Sequence, residues 1–184
     1  MVSAPHKPVP VGLIDLWRLP GTAGVSRTDA GLRVGAGTTW LEVTRDALIL
    51  AEAPILAEAA REIGALQIQA RGTLGGNVAN SSPVGDSLPV LLALDASIEL
   101  RSTRGTRHVP YREFCTGYRT TARAADELIV AAHLPTQAPG TVQRWRKVGT
   151  RRAQSISKTM AAACILFDGN TVRDARIGRL VGRR

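Results

Sequence analysis

Residues 67–87, QIQARGTLGGNVANSSPVGDS, set the strongest limit on how this chain can fold. Two adjacent glycines, two asparagines, three serines and an aspartate sit there between hydrophobic segments. A run with so little to bury builds a loop that meets a ligand, not a core. Gly75 and Gly76 lack a Cβ, so the backbone can take positive φ and turn its N–H groups toward a group that a side chain would block. Asn77, Asn80, Ser81, Ser82 and Asp86 add short polar groups suited to hydroxyls or phosphate oxygens. A bare Gly-Gly-Asn triplet is more often a plain turn with a nearby helix cap, so the triplet alone decides nothing.

With 184 residues and 44% hydrophobic content, the chain has material for one domain or two small subdomains. No run approaches the roughly 18 apolar residues of a membrane span, and the N-terminus carries no basic-then-apolar leader, so cytoplasmic residence is the expectation. Cys115 and Cys164 are isolated, which excludes a disulfide framework or an iron–sulfur cluster held by about four thiolates. His6, His108 and His133 are scattered singly and suggest no metal site. A formal charge of +9, from 24 Lys and Arg against 15 Asp and Glu, invites a nucleic-acid reading. The distribution argues against it: basic residues spread from Arg18 to Arg184, aromatic residues are few, and no nucleic-acid-binding motif appears. The densest groups are Arg144, Arg146, Lys147, Arg151 and Arg152, then Arg179, Arg183 and Arg184. They read as a solvated strand edge and tail, with an anionic cofactor or a negative partner surface as the alternatives.

Local signals place the elements. Pro5, Pro8 and Pro10 make residues 1–10 a disordered or extended arm. Short strands are expected at 11–16 and 32–35, on either side of a Pro20-Gly21 turn. Thr39 and Glu42 form a capping-box pattern for a helix through Trp40, Val43 and Ala47. Pro54 suits a first helical turn, with Ile55, Leu56, Ala59, Ala60 and Ile63 following at helical spacing. Asp86 or Ser87 caps a short helix through Leu91 and Leu94, so the glycine loop ends at a helix N-terminus that favours anions. A hairpin turns at Gly105, residues 111–115 make a helical turn, and strands follow at 128–134, 142–147, 160–167 and 171–177. The last pair is joined by Asp168-Gly169-Asn170, a hairpin signal. Pro135 to Gly140 is the one linker pattern. The chain reads as α+β.

TLGGNVANSSPVGDS at 73–87 resembles the flavin-binding subunit of xanthine dehydrogenase and its relatives, the molybdenum hydroxylases or molybdopterin dehydrogenases. Further similar segments follow in the same order: Ile14-Asp15-Leu16, GLRVGAGTTW at 31–40, PVLLALDASIELRS at 89–102, FCTGYRTT at 114–121, ELIVAAHLP at 127–135 and WRKVGTRRAQSIS at 145–157. The resemblance implies an FAD-binding type-2 (PCMH-like) domain over 11–135 and the start of a C-terminal α+β domain over 141–184. It also implies roles for single residues. Thr73, Leu74, Gly75, Gly76 and Asn77 would touch the FAD diphosphate and ribityl region, and Asp86 would accept hydrogen bonds from sugar hydroxyls. Ile129 would lie against the flavin ring, and Lys147 would stand near it as a cation favouring the reduced, anionic form. Without the resemblance, Ile129 is an ordinary strand core residue and Lys147 an exposed strand lysine.

The pattern departs from the family in three places. Ile63 stands where the family usually packs an aromatic ring on the adenine, and Gln67-Ile68-Gln69-Ala70 replaces a QIRN-like segment. The family's upstream phosphate loop, of A-G-G-T type, has no counterpart here, and the likeness breaks off again beyond Ile177. The expectation is therefore a chain truncated at both ends, lacking most of the first subdomain and most of the C-terminal domain. The function implied is that of an FAD-binding oxidoreductase subunit. It would take electrons from molybdopterin-binding and 2Fe-2S partner chains and pass them to NAD or oxygen. The alternative is a non-catalytic docking module of the same complex that holds no FAD.

Overall fold

The computed structural model describes residues 12, 14–17, 19–151 and 154–181, so the expected arm at 1–10 lies outside the described residues. In chain order the elements are β1 (Val25–Thr28), β2 (Gly31–Gly35), α1 (Trp40–Val43), α2 (Ala47–Glu52), α3 (Pro54–Arg61), α4 (Leu66–Gln69), α5 (Leu74–Asn80) and α6 (Leu88–Ala93). There follow β3 (Ser97–Ser102), β4 (Gly105–Pro110), α7 (Tyr111–Phe114), β5 (Cys115–Gly117), β6 (Thr120–Thr121), β7 (Leu128–Pro135), β8 (Val142–Gly149), β9 (Ser157–Asp168) and β10 (Thr171–Val181). Alternating side chains build the first layer. Leu32 and Val34 on β2, Ile98 and Leu100 on β3, and Leu134 on β7 are buried, while Arg33 on β2 is more exposed than its two neighbours. These strands form an antiparallel sheet of order β1-β2-β7-β3-β4, with Val34 and Ile98 both opposite Ala132.

Against this sheet lie the short helices. Ile55, Leu56, Ala59 and Ala60 from α3, Val90 and Leu91 from α6, and Trp40 from α1 belong to the same core as the strand residues. Each fully buried Leu or Ile contributes roughly 1.5–3 kcal/mol of transfer free energy. A second antiparallel sheet, of order β10-β9-β8, turns Ala162 and Cys164 into that core and sets β9 and β10 on α6. Helix α6 is thus shared by both sheets. A small β5–β6 ribbon completes the strands.

Four local expectations change. Val11 and Leu13 lie outside the described residues, and Ile14 to Leu16 carry no strand. Asp15 Oδ1 accepts the Trp17 N–H at 2.8 Å, an Asx turn that competes with extended pairing. The helix expected to run from Trp40 through Ala47 is two helices, because Asp46 caps a new one by accepting from Leu48 and Ile49 N–H. The glycine run is no open loop: it is the first turn of α5, with Thr73 as its N-cap. Helix α6 starts where expected, yet neither Asp86 nor Ser87 caps it. The Ser87 hydroxyl donates instead to Asn77 Oδ1 at 2.7 Å.

Candidate flavin site

Two helix starts lie side by side. Thr39 caps α1 in a complete capping box with Glu42, and Thr73 caps α5 by accepting the Gly76 N–H at 3.1 Å. The segments entering them pair: Trp40 N donates to Gly72 O, Leu74 N to Thr38 O, and Gly75 N to Ala36 O at 2.7 Å, with Thr39 and Thr73 in a bridge. The N–H groups of Gly75 and Gly76 are therefore engaged within the protein. Neither glycine has positive φ. The sequence reading gave them an unusual backbone and free donors, whereas what they supply is room. A Cβ on Gly75 would lie 2.6 Å from the Ala36 Cβ, so α5 can pack there only without one. A Cβ on Gly76 would meet only Thr73 Oγ1, at 3.2 Å, and Gly76 is exposed.

Over this paired segment opens a cleft of about 480 Å³. Ala36, Gly37, Thr73, Gly75, Gly76 and Ala79 line one side, Arg123, Glu127, Leu128 and Ile129 another, and Asp15, Leu16, Trp17 and Thr22 a third. The Arg71 guanidinium lies over the Trp17 ring at 5.7 Å, close enough for a cation–π contact. On the strand side, Arg107 donates to Glu127 twice, from Nε at 2.6 Å and from Nη2 at 2.8 Å, and the Ala124 N–H donates at 2.7 Å. The Arg107 bonds, then the Ala124 bond, hold the Glu127 carboxyl down to about 2, so it is ionised throughout the neutral range.

Of the nine residues expected at a flavin site, the structure brings Thr73, Gly75, Gly76 and Ile129 to the cleft. The other five lie elsewhere. Leu74 is buried in the core and anchors the start of α5, Asn77 holds Ser87, and Ile63 packs partly buried against the core. Asp86 and Lys147 do not line the cleft. Lys147 Nζ donates to Asp86 Oδ2 at 2.7 Å and to Glu62 O at 3.1 Å, Ser157 Oγ donates to Asp86 Oδ1 at 2.5 Å, and the Trp145 indole donates to Asp86 O. The expected sugar acceptor and flavin cation are partners of each other, joining the end of α3 and the loop before α6 to β8 and β9. The sequence reading missed Ala36, Gly37, Trp17, Arg123 and Glu127. Gly35-Ala36-Gly37 beside the Thr39 cap is a usable signal for a close backbone approach, and Glu127 opens the family-like ELIVAAHLP segment; Arg123 carries no signal.

The family model for the FAD binding domain in molybdopterin dehydrogenase matches residues 6–137. The chain belongs to this family. The FAD-binding subunit of xanthine dehydrogenase from Escherichia coli O157:H7 is 35% identical over 161 residues, which are 86% of this chain and 55% of that protein. Subunit alpha of the 6-hydroxypseudooxynicotine dehydrogenase complex of Paenarthrobacter nicotinovorans is 31% identical over 170 residues, 92% of this chain and 57% of that protein. Carbon monoxide dehydrogenase of Hydrogenophaga pseudoflava, solved without the Mo-pyranopterin moiety of its cofactor, superposes with a TM-score of 0.85 at 29% identity, over 89% of this chain and 56% of that one. The chain spans about half the length of the curated relatives it matches. The α+β fold is that of the FAD-binding domain of the molybdopterin dehydrogenases, and the cleft lies within the matched region.

Proposed function

We propose that this chain holds FAD in the cleft beside α5 and serves as the flavin-carrying component of a molybdenum hydroxylase complex in the cytoplasm. One observation carries the reading. The fold needs glycine at position 75 to pack α5 on Ala36, whereas at Gly76, which lies open on the cleft, a Cβ would meet only the Thr73 hydroxyl at 3.2 Å, a contact relieved by a shift of a few tenths of an ångström. A glycine that packing does not require is accounted for by a ligand that passes too close for a side chain. The cleft fits the group in composition as well, with small residues on one side and Leu128 and Ile129 on another.

When bound, FAD supplies electron transfer between one-electron donors and a two-electron acceptor. The chain's own residues position it. Thr73 and Leu74 fix the start of α5, Gly75 and Gly76 keep its surface low, and Ile129 offers an apolar face. The Asp86–Lys147 pair and the Asn77–Ser87 bond hold the neighbouring loop in place. Partner chains would carry the molybdopterin and the 2Fe-2S centre, with NAD or oxygen as final acceptor. Among the described residues no cluster of His, Cys, Asp and Glu could hold a metal, and no helix is long and apolar enough to cross a membrane.

The test is retention of flavin. The purified chain, incubated with FAD and freed of excess, is expected to keep a flavin absorption spectrum, and Gly76→Asp to lose it while remaining folded by circular dichroism. A folded wild-type chain that stays colourless yet still co-purifies with molybdopterin and 2Fe-2S partner chains would overturn FAD binding in favour of a docking module.

A further inference from the structure

We infer that Arg123 is the cation that meets the negative charge of the reduced flavin in this cleft. The inference rests on the cleft being the FAD site. Among the described residues three charged side chains line it, Arg123, Glu127 and Asp15. Glu127 has its charge matched by the two-pronged contact from Arg107, which leaves little net field from that pair. Asp15 belongs to the segment before β1, where it accepts the Trp17 N–H.

Arg123 differs from both. Its Nη1 donates to Ala124 O at 3.1 Å and to Glu127 O at 2.8 Å. Carbonyl oxygens orient a guanidinium without cancelling its charge, and among the described residues no carboxylate pairs with Arg123. Among the described residues Nε and Nη2 make no hydrogen bond, so donors remain for a ligand. The head is fixed to the backbone two residues before Ile129, on the side expected to face the flavin ring. Lys147, the cation expected from the sequence, has a side chain only 9% exposed and spends its charge on Asp86. A fixed, unpaired cation stabilises the reduced, anionic flavin more than the oxidised, neutral one, and so raises its potential.

Arg123→Met keeps an aliphatic stem and removes the charge, while Arg123→Lys keeps the charge and alters the fork. The readouts are FAD affinity by fluorescence titration and the midpoint potential against a reference dye. Arg123→Met is expected to weaken binding of the reduced flavin relative to the oxidised about tenfold, a fall of about 30 mV for two electrons. Arg123→Lys is expected to restore most of it. An unchanged potential in flavin-loaded Arg123→Met would overturn the inference while leaving the FAD site intact. Loss of flavin from Arg123→Met alone would support the charge role through affinity. Loss from both variants would overturn it, because the clamp on Ala124 and Glu127 would then be what matters. A wild-type chain without flavin would overturn the cofactor reading and this inference with it.

Discussion

A methyl group on Gly75 would come within 2.6 Å of the Ala36 Cβ and 2.9 Å of its carbonyl oxygen, neither of which can swing aside. Overpacking of this kind costs about 1–3 kcal/mol. Gly75→Ala is therefore expected to lower the urea midpoint, whereas Gly76→Ala, one position on, should leave it unchanged or raise it, since Ala is the better helix former by about 1 kcal/mol. Equal midpoints for the two variants would remove the distinction on which the functional reading rests. The Asp86–Lys147 pair makes a second prediction. Both side chains are about nine-tenths buried, and removing one partner strands the other's charge at a cost of about 3–5 kcal/mol. Asp86→Ala should be strongly destabilised, and adding Lys147→Met should recover much of the loss. A double variant no better than the single would show that the Ser157 and Trp145 bonds, not the ion pair, set the stability of this joint.

Buried carboxylates tie strands and loops together. Glu99 on β3 accepts from Arg33 on β2, meets His133 on β7, and pairs with Arg101 on its own strand. Burial pushes its carboxyl up, but the bonds from His133 and Arg33 outweigh it and hold it near about 2. Glu127 does the same for the loop that leads into β7. In both cases the folded value lies below the ordinary 4.5. Their contribution to stability is thus fully present above 4.5 and is lost as pH falls from there toward about 2. Urea unfolding followed across that window should show stability dropping in the wild type, with a shallower slope in Glu127→Gln; identical slopes would show that the Glu127 network adds nothing. Neighbouring residues made some elements legible in the sequence. The Thr39–Glu42 capping box, the first-turn Pro54, the hairpin at Gly105 and the Asp168-Gly169-Asn170 turn all depend on groups at most a few positions apart. Asp46 is a cap of the same local kind, two and three positions from the Leu48 and Ile49 N–H groups it accepts from. The cleft's charges were not legible, because Arg107 and Glu127 are twenty positions apart and only pairing of the strands brings them together. Lys147 illustrates the converse. Its place on β8 was readable, but which cavity it faced depended on how the second sheet docks.

Docking of that second sheet also involves a close approach between α6 and β10. Pro89, in the first turn of α6, brings its carbonyl oxygen within 2.1 Å of where a Cβ on Gly178 of β10 would stand. The contact partner is backbone and cannot yield, so a side chain at 178 must push β10 away from α6. Helix α6 also packs into the core shared with the five-stranded sheet, through Val90 and Leu91, and the strain would reach both layers. Gly178→Val is expected to lose about 1–3 kcal/mol or more. The cleft lies against α5 and the start of β7, not against β10, so FAD affinity measured well below the unfolding midpoint should stay near that of the wild type. The tryptophans separate the two effects: Trp145 sits on β8 and Trp40 in the core beside the five-stranded sheet. Two-state unfolding predicts that Gly178→Val lowers the midpoint of Trp145→Phe and of Trp40→Phe by a similar amount, each measured against the same Trp variant with Gly178 intact. An unaltered midpoint would mean that β10 can lift from α6 at no cost, and that the two sheets are held together by something other than this contact.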